Sequence, residues 1–199
     1  MLICGIDYGS KLSGTTVICL GDNKVRKLEY QSSRKKQDAD AFLRQVIQER
    51  QPKAVFIDAP LSLPKVYLRL PEEQKGEEGD YFFRQGDREL KAMSPMFLGG
   101  LTARAMKLAR DLTPLPLFET YPAEQARRLH LGAIGYKKEK EKILPVLDII
   151  QRQYPELSLE LPPQNWHEVD AILAWLAAYR WSQGDEIRFG DKKEGQIFI

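Results

Sequence analysis

Residues 2–7 read LICGID and residues 54–58 read AVFID. Each is a short apolar run that ends on an aspartate, and the rest of the architecture follows from where these two lie. A run with no charged residue before its last position suits a central strand covered on both faces. Outward from the first, residues 14–20 (GTTVICL) and 24–31 (KVRKLEYQ) are further β-type runs, set off by Gly/Ser and Gly-Asp-Asn turn chemistry. They predict an opening antiparallel β-meander whose third strand, alternating apolar and polar residues, is the more exposed. Residues 38–50 carry Ala41, Phe42, Val46 and Ile47 at helical spacing behind Asp38, a ready N-cap. A strand, a helix and then AVFID call for a right-handed crossover that lays the second aspartate strand parallel in the same sheet. The expected fold class is α/β, with a mixed central sheet flanked by helices.

Beyond residue 58 the pattern changes. Residues 59–98 hold Pro60, Pro64, Pro71 and Pro95, the acidic patch EEQKGEEGD and the run YFFRQGDREL. Together they predict a helical insertion or lid over about residues 60–98. Residues 102–111 then predict a helix, PLPLFET a strand ending at Glu119, and residues 122–130 a helix. Residues 136–154 predict a charge-laced helix, kinked or broken near Leu144 by Pro145. Residues 168–182 form one strong helix, and EIRFGDKKEGQIFI has the look of a terminal β-hairpin. No repeat, low-complexity tract or linker divides the sequence, so residues 1–199 are expected to form a single domain.

The chain's 30 basic and 28 acidic residues leave a formal charge of +2, which excludes the overall basic field of a histone-like binder. Any nucleic-acid contact must be local. Cys4 and Cys19 each sit inside an apolar run, as buried thiols in a reducing compartment would. No apolar stretch approaches the roughly 20 residues that span a bilayer. The opening residues also lack a basic segment followed by an apolar run and a cleavage site. A cytoplasmic location without membrane contact is expected.

Asp7 and Asp58 close two buried strands, and Glu119 does so a third time in FETYP. A carboxylate there is costly unless paired or metal-bound, and in parallel α/β sheets ligands collect beyond the carboxyl ends of strands. Gly5 and Gly9 could let backbone or a substrate phosphate come close to Asp7. In NWHEVDAILAWLAAYR, His167 and Asp170 stand three apart on one helix face, and Ala171, Ala174, Ala177 and Ala178 would let that helix lie close against a sheet. Carboxylate oxygens are hard ligands suited to Mg²⁺ or Mn²⁺, and such ions activate water for phosphodiester cleavage. For the nucleic acid itself, Arg84 and Arg88 on one face of the insertion, and Arg104, Lys107 and Arg110 on the following helix, are candidate phosphate contacts. The run 137–142 alternates in sign and reads as a solvated helix face.

The strand GIDYGSKLSGTT, the FIDAP strand end and the His-x-x-Asp-Ala start of the late helix resemble the RNase H-like superfamily, nearest its Holliday-junction resolvase branch. With RQGDREL, MSPMFLGG, FETYPAE and HEVDAILAW added, nearly the whole chain resembles the DUF429 family of predicted RNase H-fold nucleases. The resemblance implies a metal-dependent nuclease with Asp7 as the first-strand ligand, Asp58 where resolvases usually carry Glu, and His167 and Asp170 as the helix pair. It gives Glu119 no resolvase counterpart, and the insertion departs from that pattern, so a junction substrate is not implied. Nucleic acid is the expected partner, with a homodimer left open. Two other readings stay in play. One is a catalytically silent nucleic-acid-binding protein on the same fold. The other is an actin- or sugar-kinase-like phosphotransferase, whose first phosphate loop Asp-x-Gly with Ser-Gly-Thr-Thr also resembles, although no second Gly-rich loop is present.

Overall fold

The computed structural model describes residues 1–24, 27–68 and 80–199. Residues 25–26 of the third β-type run and residues 72–79 of the acidic patch therefore lie outside the described residues. The meander is formed by β1 (Leu2–Asp7), β2 (Val17–Asp22) and β3 (Lys27–Ser32), paired antiparallel in sequence order. Helix α1 (Ala39–Arg50), capped by the Asp38 side chain, crosses over to β4 (Val55–Asp58), which runs parallel to β1. After the insertion come α4 (Gly100–Asp111) and β5 (Leu117–Thr120), parallel to β4. The insertion itself supplies α2 (Gln85–Leu90) and α3 (Pro95–Leu98), preceded by a 3₁₀ turn at Lys65–Tyr67. The expected C-terminal hairpin is present as β7 (Arg188–Phe189) and β8 (Ile197–Phe198). It is an extension of the same sheet, because β8 also pairs parallel with β5. A two-residue edge strand β6 (Ser158–Leu159) on β3 completes an eight-stranded mixed sheet ordered β6-β3-β2-β1-β4-β5-β8-β7.

Alternation along the strands sorts the core into two layers. Ile3, Cys19 and Phe56 pack with α5 (Pro122–Arg128), α7 (Ile143–Gln153) and α8 (Trp166–Gln183), with the short α6 (Leu131–Ile134) beside them. Cys4, Ile6, Tyr8 and Ile57 pack on the other face with α1 and α4. The two free cysteines are thus buried on opposite sides of the sheet, where no disulfide can join them.

Helix α8 is the spine of the first layer, with every residue from Glu168 to Ala178 buried. A helix apolar on all sides must be enclosed on all sides. It reaches that depth through Gly5. A Cβ added there would stand 2.0 Å from the Trp175 amide nitrogen and 2.7 Å from the Ala171 carbonyl oxygen, so helix backbone rests on strand backbone. The small residues expected to allow a close approach do so at Ala171 and Ala174.

One expected helix begins later than its charge pattern predicts. Residues 136–139 are not helical, Lys140–Lys142 form a 3₁₀ turn, and α7 starts at Ile143. Pro145 therefore falls in the first turn of α7, where a missing N–H costs no helical hydrogen bond and no kink is needed. No helix among the described residues is long and apolar enough to cross a membrane.

Candidate active site

Asp7 and Asp58 are register partners at the carboxyl ends of β1 and β4. Both belong to the α8 side of the sheet, since Asp7 lies two residues beyond Gly5 and Asp58 two beyond Phe56. Seating α8 on Gly5 brings its first turns over these strand ends. There His167 Nδ1 lies 2.8 Å from Asp7 Oδ2, with Asp170 one turn further along and only 2% exposed. The helix start is fixed by Asn165, whose side chain accepts from the Glu168 amide.

Two further side chains close the site, and the sequence reading missed both. Tyr136 donates its hydroxyl to Asp170 Oδ1 at 2.5 Å, and the Lys137 ammonium lies 2.6 Å from Asp170 Oδ2. They come from the loop that had been expected to open a helix. Lys137 was expected on a solvated helix face, and that expectation is corrected in part: it stays half-exposed, but it stands in a turn ahead of the helix with its ammonium on Asp170. The loop is held by the Tyr136 amide donating to the Leu131 carbonyl and by the Tyr136 ring set edge-on to Trp166.

The electrostatics are those of too few counter-charges. Burial, reinforced by the negative charges of Asp7 and Asp170, pushes the Asp58 carboxyl well above the usual range. No group among the described residues donates a hydrogen bond to its side chain, and the residue helps line a cavity of about 70 Å³ together with Glu119, Thr120 and Tyr121. Thr120 itself has a buried hydroxyl without a partner among the described residues. Burial also raises Asp170, to about 6, with Lys137 pulling the other way. His167 is raised by its hydrogen bond to Asp7, against the cost of desolvation. Burial disfavours the Lys137 ammonium, and the charges of Asp170, Asp58 and Asp7 more than offset it.

The third strand-end acid does not join this group. Phe118 and Phe56 pack together on the α8 side with ring centroids 5.0 Å apart, so Glu119, the next residue, projects from the opposite face. It meets Arg84, whose Nη1 and Nη2 donate to its two oxygens at 2.6 and 2.5 Å. Arg84 also donates to Asp87 at 3.0 and 2.6 Å and to Ser62 at 2.9 Å. A guanidinium has five N–H donors, and all are engaged here. At 1% exposure Arg84 has nothing left for a phosphate, so its expected role as a substrate contact is corrected to that of an anchor. With the Leu61 amide donating to Glu119 as well, this cluster fastens the insertion to the sheet.

The remaining basic candidates are dispersed. Arg104 donates to Asp40 at 2.7 and 3.1 Å and to the Gly9 carbonyl at 3.1 Å, and it stacks over Tyr8 on the α1–α4 side. Arg88 is exposed, pairs with Asp80 and covers the Phe83 ring, and Lys107 is exposed and paired with Asp111. The glycines beside Asp7 serve the fold: Gly5 receives α8, and a Cβ on Gly9 would strike Thr15 Oγ1 at 2.1 Å.

Among the described residues no three His, Cys, Asp or Glu side chains converge closely enough to hold one metal ion together. No family model, no curated protein and no solved structure matches the chain.

Proposed function

We propose that this chain is a metal-dependent nuclease of RNase H-like fold, in which Asp7, Asp58 and Asp170 hold Mg²⁺ or Mn²⁺ against a phosphodiester of DNA or RNA. One observation carries the reading. Two register-paired strand-end aspartates and a helix aspartate are gathered on one face of the sheet, with Lys137 and a half-exposed His167 as their counter-charges among the described residues. The resemblance to the DUF429 family, and the meander followed by parallel strands, support the same reading.

The chemistry of the donor set suits a hard divalent ion, because oxygen ligands with surplus negative charge are what such ions take, and the three acids would have to draw closer to hold one together. Asp58 and Thr120, whose buried hydroxyl has no partner among the described residues, line one cavity with room for water. A divalent ion bound there would lower the pKa of water and offset charge on the phosphate. The chain's own groups do the rest. With Nδ1 of His167 committed to Asp7, its Nε2 is the nitrogen free to give or take a proton. Tyr136 orients Asp170, and Glu119 acts at a distance by holding the insertion through Arg84.

Labelled single-stranded, duplex and branched nucleic acids incubated in EDTA and then in millimolar Mn²⁺ test the proposal. Cleavage is expected from the wild type in metal only, and its loss in Asp170→Asn with cooperative unfolding retained. Wild-type cleavage by that variant would remove Asp170 from the chemistry. A second reading, a silent nucleic-acid-binding protein, is favoured by the absence of a closed three-ligand group among the described residues. Metal-independent binding without product would select it.

A further inference from the structure

Both oxygens of Asp170 are occupied, one by the Tyr136 hydroxyl and the other by the Lys137 ammonium. The backbone is committed to this placement. Lys137 adopts φ 58°, in the left-handed region that L-residues enter at a cost, and Gly135 before it turns at φ 111°. A Cβ at Gly135 would meet Lys142 Cγ at 2.9 Å, so the turn that presents Tyr136 and Lys137 is tightly drawn. Lys137 is also the one lysine or arginine among the described residues that ion-pairs with Asp7, Asp58 or Asp170. Unlike Arg84, it has a single ion-pair partner, with the Tyr136 ring as its other contact, 5.4 Å from the ammonium. Its side chain is 47% exposed, and a four-carbon stem gives the ammonium a path into solvent.

We propose that Lys137 is the built-in counter-cation of the site and a direct competitor of the divalent ion for Asp170. The inference rests on the metal-site reading above. While Asp170 is held by the lysine, the three acids cannot act together as one ligand set. Metal entry is then an exchange in which the ammonium leaves Asp170 as the ion arrives. The lysine spares the metal-free protein an uncompensated carboxylate, and the same contact sets a threshold of metal concentration below which the site stays closed.

The test is Mn²⁺ binding to the full chain, followed by electron paramagnetic resonance of the free ion, for the wild type, Lys137→Met and Lys137→Arg. Methionine keeps the stem and makes the same backbone demand. Loss of a half-exposed charge-assisted contact should tighten Mn²⁺ binding by about fivefold or more in Lys137→Met, while Lys137→Arg binds no tighter than wild type. The rise in unfolding midpoint on adding Mn²⁺ should be larger in Lys137→Met than in wild type. A lysine with a merely structural role would lower stability and affinity together, and equal or weaker binding by Lys137→Met beside a binding wild type overturns the proposal. If neither protein binds millimolar Mn²⁺ while both unfold cooperatively, the metal-site reading itself fails and takes the competition with it. Should Lys137→Met not fold, Lys137→Gln carries the same expectation and the same refutation.

Discussion

Two buried ionic clusters sit on the neighbouring strands β4 and β5 and are built on opposite terms. Around Arg84 every guanidinium donor meets an oxygen of Asp87, Glu119 or Ser62, and the Arg84 and Leu61 amides add a second hydrogen bond to Asp87 Oδ2 and Glu119 Oε2. Around Asp58 three carboxylates share one lysine and one histidine, and a threonine hydroxyl has no partner among the described residues. A saturated cluster has no capacity left for a ligand, and an undersatisfied one is costly until something arrives. The difference teaches that buried charge alone does not mark a site; unused bonding capacity does.

Breaking the saturated cluster should have the largest effect. Arg84→Met leaves Asp87 and Glu119 buried without their partner and should cost about 3–5 kcal/mol, read from urea unfolding. A loss below about 1 kcal/mol would mean the cluster is not the anchor described here. Relieving the undersatisfied cluster should act in the other direction. The folded-state pKa of Asp58 is raised by burial and by Asp7 and Asp170, so its contribution to stability is full below the unfolded value of 3.8 and is lost as pH rises through the folded value. In EDTA, Asp58→Asn should therefore be about 1–2 kcal/mol more stable than wild type near pH 8, with the gain vanishing toward pH 4. A variant less stable than wild type near pH 8 would show that Asp58 already has a partner. The smallest effect belongs to the exposed edge of the site. The raised His167 contributes below its unfolded value of 6.5 and loses that contribution as pH rises through the folded one. His167→Gln should lose a few tenths of a kcal/mol near pH 5.5 and nothing near pH 9, measured by the same unfolding curves.

Much of this contrast could be read from the strands alone. In FID the acid stands two residues from its phenylalanine and in FET one, so a common phenylalanine face already separates Asp58 from Glu119. Grouping all three strand-end acids overlooked that parity. The meander, the crossover and the late helix were legible because each carries its own period and caps. Arg84 was misread because i, i+3, i+4 spacing shows which residues share a face and not whether that face is covered. Tyr136 and Lys137 were hidden at the head of the helix expected over residues 136–154, which the turn at Gly135, a residue in positive φ, delays. The pairing of that loop with Asp170, 34 residues from Tyr136, has no local signature.

Gly5 gives the site its mechanical asymmetry. Because α8 already touches β1 backbone to backbone, the helix that carries His167 and Asp170 has no clearance to settle inward. The site therefore works like a vice with one fixed jaw, and the adjustable jaw is the loop of Tyr136 and Lys137. Ligands of different size would be accommodated on the loop side, and substitutions that tune what the site accepts should gather there and spare the helix.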